Sequence, residues 1–248
     1  MRTLTLVASL VLSLGLSAAE HRYILPVAGY SLGQDGTSLY AYTVVTNLSP
    51  RPATLRTVNV YPLAADRPCN VSTTSTSTLE PNARVRISPM ICMDRLSSIE
   101  IVSDEPLSVR TELDTKRWAF GSDRQIIQAP TDWIAAGTTS VTEAIIRDDS
   151  NWRANLLLIN PSDQPLTVQV EVDRPEVRNS ATHTFELAPK STRIVNIPEV
   201  RRVPIDPFIS SGEGRHILRI SANGPYQAGM SSVSYGVSMY VPATPLAP

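Results

Sequence analysis

The chain is poor in several of the residue types that most often mark a chemistry. Among its 248 residues there are 2 Cys, 3 His, 3 Phe and 3 Trp. Lysine is almost missing: Lys116 and Lys190 are the only two, and the other basic residues are Arg. Two cysteines and three histidines, far apart in sequence, do not make the Cys/His spacing of a zinc site. The formal net charge is −1, so the electrostatic footprint of a nucleic-acid binder is missing. No G-x-S-x-G, H-E-x-x-H or Gly-rich phosphate loop occurs. Beyond the N-terminus there is no apolar run of the ~20 residues that a spanning helix needs.

The N-terminus carries the one short apolar segment. Arg2 precedes a run from Thr3 to Leu16, and Ser17-Ala18-Ala19 follow. A single positive charge, a short apolar core and small residues form a secretory signal, residues 1–19, with cleavage after Ala19. The mature chain is therefore expected to be exported, periplasmic or extracellular, without a membrane span. In that compartment Cys69 and Cys92 can pair. Leu79-Glu80-Pro81-Asn82 reads as a turn between two β-rich stretches. A hairpin centred there brings Cys69 opposite Cys92, and a disulfide between them is expected.

The chain repeats itself. Tyr42–Leu55 (YTVVTNLSPRPATL) resembles Ala154–Val168 (ANLLLINPSDQPLTV), with Asn47 matching Asn160 and Pro52 matching Pro165. Leu79–Ser88 (LEPNARVRIS) matches Leu187–Asn196 (LAPKSTRIVN), and Ile99–Leu107 (IEIVSDEPL) matches Leu218–Tyr226 (LRISANGPY). The order is kept. Within each copy the period is two: Leu166, Val168, Val170 and Val172 alternate with polar residues. Ala154–Ile159 is apolar on both faces and reads as a central strand. Val233, Val237, Met239 and Val241 carry an alternating pattern toward the end. No stretch of twelve or more residues holds a helical period. The fold class is all-β: two tandem immunoglobulin-like β-sandwich domains, residues 20–128 and 129–241, followed by a frayed Pro-rich tail, 242–248. Trp118 and Trp133 flank the joint, and each is expected in the core of its own domain.

The blocks VTNLSPRPA, LEPNARV and IVSDEPL resemble immunoglobulin-like modules of bacterial exported proteins. That resemblance implies a structural, adhesive or partner-binding unit. A narrower one is to the two-domain periplasmic chaperones of pilus assembly. It implies an alternative role, capping a subunit by strand donation. Arg22 and Lys116 would then anchor the subunit's terminal carboxylate. The sequence departs from that family at Ser97–Val102 (SSIEIV) and at Gln125–Pro130 (QIIQAP).

No catalytic constellation emerges. His183 and His216 lie on presumed strands and read as packing or surface residues. Asp148–Asn151 and Gln34–Thr37 read as polar turns. Cleavage after Ala18 would leave His21 third from a free amine, a copper-chelating arrangement. Cleavage after Glu20 would make His21 itself terminal. The preferred cleavage leaves Glu20 first, so no cofactor or metal is expected. The reading is a non-enzymatic exported module acting through a protein partner or self-assembly, without nucleic acid.

Overall fold

A computed structural model describes residues 20–32, 38–62, 76–87, 96–117, 121–146, 152–175, 179–196, 214–234 and 237–247. Residues 1–19, Cys69, Cys92, Trp118 and the Asp148–Asn151 and Gln34–Thr37 turns lie outside them. The protein is all-β, with no helix among the described residues. No helix there is long and apolar enough to cross a membrane.

The first half holds β1 (His21–Leu32), β2 (Ser38–Asn47), β3 (Ala53–Pro62), β4 (Thr76–Leu79), β5 (Arg84–Ile87), β6 (Leu96–Ser103), β7 (Leu107–Arg117) and β8 (Gly121–Gln128). The second holds β9 (Ser140–Ile146), β10 (Trp152–Asn160), β11 (Leu166–Arg174), β12 (Asn179–Leu187), β13 (Ser191–Asn196), β14 (Gly214–Ala222), β15 (Gln227–Ser234), β16 (Val237–Pro242) and β17 (Thr244–Pro245). All named pairings are antiparallel, and none joins a strand of one half to a strand of the other.

The duplication seen in the sequence is a duplication of strand pairing. In the first half β4-β3-β6-β1 run side by side, and β5-β2-β7-β8 do the same. In the second half the orders are β12-β11-β14-β9-β17 and β13-β10-β15-β16. Adding eight to each strand number of the first half reproduces the second, with β17 as an extra edge. One difference is local. The long β1 bends at a bulge between Leu25 and Ala28 and pairs first with β6, then with β2. It thereby stitches the two layers of the first half into one continuous sheet. In the usual immunoglobulin order the seventh strand lies beside the sixth. Here β7 lies beside β2 and β1 beside β6.

Periodicity places the cores. β11 is buried at Leu166, Val168, Val170 and Val172 and more open between them. Central β10 is buried from Leu156 to Ile159 on both faces. Leu156, Leu158 and Met230 from one layer meet Val168, Val170, Leu218 and Ile220 from the other in a single cluster. Burying a side chain of this size stabilises by ~1.5–3 kcal/mol. A smaller cluster around Leu25, Val45, Leu55, Ile99 and Ile101 fills the first half.

Three expectations change. The Glu80-Pro81 turn is not a hairpin. β4 pairs with β3, and β5 pairs with β2. The turn is an arch between layers, so its symmetry does not set Cys69 opposite Cys92. At the end of the alternating pattern the buried residue is Tyr240, at 4% exposure, and Val241 is open. The tail is tied down rather than frayed. Thr244 and Pro245 pair with β9, and the Leu246 N–H donates to the Thr139 carbonyl.

Candidate functional site

Charged and aromatic side chains gather at the junction between the halves and on one open sheet face of the first half.

The junction is built around Glu100. This carboxylate sits on β6, 3% exposed, within an apolar run. Its phase is opposite to that of the core residues Ile99 and Ile101, so it points away from the first-half core. Tyr61 on β3 donates its hydroxyl to Glu100 at 2.9 Å. Arg22 on β1 reaches it at 2.9 Å. The indole N–H of Trp133 points to it at 3.4 Å. The Trp133 ring also meets Tyr61 edge-on, with centroids 5.6 Å apart. Trp133 therefore packs across the joint and not into its own half. A buried carboxylate is tolerated because it is paired and hydrogen-bonded.

Further contacts reinforce the junction. Thr192 on β13 donates to the Tyr61 carbonyl at 3.0 Å. The Gln125 side chain donates to the Tyr240 carbonyl at 2.9 Å and accepts from the Tyr240 N–H at 2.6 Å. Val27, Ala41, Leu113 and Ile127 share an apolar cluster with Leu157 and Tyr240. Complete burial pushes the Tyr240 hydroxyl well above the usual phenol range. A groove of about 380 Å³ opens beside Arg22, lined by Glu20, His21, Tyr23, Thr131, Asp132 and Trp133.

The open face belongs to β5-β2-β7-β8. Register sets Arg86, Val44 and Arg110 in one row, Tyr42 and Glu112 in the next, then Tyr40, Asp114 and Arg124. Glu112 accepts from Arg84 at 2.8 Å and Arg110 at 3.0 Å. Asp114 accepts from Arg124 at 2.7 Å and Arg86 at 3.3 Å. The Arg86 guanidinium lies 3.5 Å above the Tyr42 ring centre. The hydrogen bond from Arg124 to Asp114 raises the pKa of Arg124 above its ordinary value.

The two residues expected to act as a carboxylate anchor pair at different levels of the first-half sheet. Arg22 pairs with Val102 near the start of β1. Lys116 pairs with Ser38, which faces Leu32 at the far end of β1. His21 borders the groove. His183 stacks on Phe185 at 6.4 Å, and His216 is fully buried with Nδ1 near the Gly214 carbonyl. Among the described residues no three His, Cys, Asp or Glu side chains cluster as a metal site.

Sequence reasoning missed Glu100 and the Arg face. A carboxylate inside Ile99–Val102 was a visible signal. The alternation of Arg84 with Arg86 was visible too, but its partners on β7 depend on register.

No protein-family model matches the chain, and no curated protein matches it.

Proposed function

We propose that the protein is an exported, non-enzymatic interaction module of the cell envelope or extracellular space. Its two halves are read as tandem immunoglobulin-like β-sandwiches that present strand edges and sheet faces to a protein partner or to further copies of the chain. The observation that carries this is the pairing of a duplicated strand plan with a built junction. Trp133 to Glu100, Thr192 to Tyr61 and Gln125 to Tyr240 join the halves through buried and part-buried hydrogen bonds. Such a joint holds two sets of surfaces in a defined relation, which is what a scaffold for recognition needs.

Size-exclusion chromatography with light scattering, run on envelope and culture-fluid fractions, tests the reading. The expected result is a complex or self-assembly larger than one chain. The intact mass reports export: it should begin at Glu20, with two hydrogens lost if Cys69 and Cys92 are bridged. A chain retained in the cytoplasm with residues 1–19 attached contradicts export. Elution solely as a monomer from every exported fraction contradicts the module.

A further inference from the structure

We propose that the open face of β5-β2-β7-β8 is a binding surface for an extended acidic polypeptide segment, recognised through Arg84, Arg86, Arg110 and Arg124. The inference rests on the interaction-module reading and names the partner's chemistry.

Charge complementarity carries it. Among the described side chains four guanidinium groups share this face with two carboxylates, so they make it net positive on a chain whose net charge is −1. The Glu112 and Asp114 side chains are 7% and 12% exposed, whereas those of Arg84, Arg86 and Arg124 are 54%, 43% and 58% exposed. The acids lie beneath and the guanidinium groups above. Each guanidinium carries five N–H donors, and a carboxylate accepts about four hydrogen bonds. Two carboxylates therefore offer fewer acceptor positions than four arginines have donors, and they balance only two of the four charges. The buried acids and the Tyr42 ring hold the arginines in position, so less side-chain freedom is lost when an anion arrives.

Spacing selects a polypeptide. Arg84 and Arg86 are two residues apart on β5, about 6.7 Å, which is the spacing of alternate side chains along an extended strand. Among the described residues β5 pairs with β2 alone, so a strand added at its other edge would extend this sheet. A strand laid there would turn alternate Asp or Glu side chains toward the arginine rows. Tyr and Arg, which this face presents, are also residue types enriched where proteins bind one another.

Poly-L-glutamate is the probe. The mature chain should bind it at low ionic strength, more weakly as salt rises. Arg84→Gln with Arg124→Gln should weaken binding roughly tenfold, from two lost exposed ion pairs. The charge-keeping pair Arg84→Lys with Arg124→Lys should retain most of it. Arg56→Gln with Arg215→Gln removes the same charge elsewhere and should leave binding unchanged. These arginines are exposed, and a thermal melt of each variant confirms folding.

Equal binding by the wild type and the Arg84/Arg124 glutamine variant overturns the assignment. So does no binding by the wild type, or tighter binding to heparin or polygalacturonate. If the wild type captures an envelope partner that the glutamine variant captures equally, the face assignment fails and the module stands. If polyglutamate binding follows the arginines but no partner or self-assembly exists in the exported fractions, the face stands and the module fails.

Discussion

Asn47 and Asn160 do the same work at the same place in the two halves. Both are fully buried. The Asn47 amide donates to the Arg51 and Leu79 carbonyls at 2.7 and 2.9 Å, and its oxygen accepts the Ser49 N–H at 2.8 Å. The Asn160 amide donates to the Gln164 and Ala188 carbonyls at 2.8 and 3.0 Å, and its oxygen accepts the Ser162 N–H at 2.9 Å. Each ties the turn after its own strand to the interlayer arch. The arches match as well, because Asn82 and Lys190 both have positive φ, 59° and 47°. The Asn–x–Ser spacing repeats because one buried amide satisfies all these backbone groups at once.

Replacing either Asn by Ala strands two carbonyls and one N–H. Each orphaned buried group costs ~1–3 kcal/mol. Asn47→Ala and Asn160→Ala should each lower stability by at least ~2 kcal/mol, read as a lower urea midpoint. The two sites share no partner, so the losses should add. A midpoint unchanged within error in either variant would remove the clamp from the account.

Tyr240 and Gly229 make a closer contact. A Cβ on Gly229 would stand 2.1 Å from the Tyr240 hydroxyl oxygen and 2.3 Å from its ring. Gly229→Ala should therefore cost ~1–3 kcal/mol through overpacking at the junction. Gly137 is a useful contrast. Its φ is +74°, and nothing lies within 4 Å of where a Cβ would stand. Gly137→Ala should cost ~1–2 kcal/mol, from backbone strain alone. Thermal melts of the two variants separate the causes: removing the Tyr240 ring relieves the Gly229 variant and leaves the Gly137 variant unchanged.

At the junction, Glu100→Ala leaves the Tyr61 hydroxyl, the Trp133 indole N–H and the Arg22 guanidinium without this acceptor. A loss of ~2–4 kcal/mol is expected, since truncating one partner of a buried polar group is costly. Arg22→Ala should cost less than Glu100→Ala, because the Arg22 side chain is 48% exposed and its charge is screened. Chemical denaturation ranks the two, and the reverse order would contradict the central place given to Glu100.

High pH should unfold the protein through its phenols. Burial raises the pKa of Tyr23, Tyr226 and Tyr240 above the ordinary value of 10.0. The folded state then holds these protons more tightly than the unfolded chain. Stability from this source is complete below about pH 10 and falls as pH rises through that value toward the folded ones. Tyrosinate absorbance should appear together with loss of β-sheet circular dichroism. Ionisation of all 8 tyrosines well before unfolding would contradict the burial.

How much of this was legible in the sequence depends on the range of the interaction. The repeat, the period-two strands and the central character of β10 were readable because they rest on local burial. Glu80-Pro81 announced a turn, but a turn signal does not say whether its flanking strands pair with each other or with two separate layers. β4 and β5 choose β3 and β2 because Asn47 fastens the arch between layers. Trp133 crosses the joint because Glu100 and Tyr61 offer it a partner, and both belong to the other half. The Arg face needs the β2–β7 register before Glu112 and Asp114 can be placed beneath it.

The most direct measurement is affinity capture of the tagged protein from envelope and culture-fluid fractions, with partners quantified by mass spectrometry. The account predicts one exported protein, or further copies of this chain, recovered in amounts comparable to the bait. A clean monomer with no stoichiometric companion would contradict it.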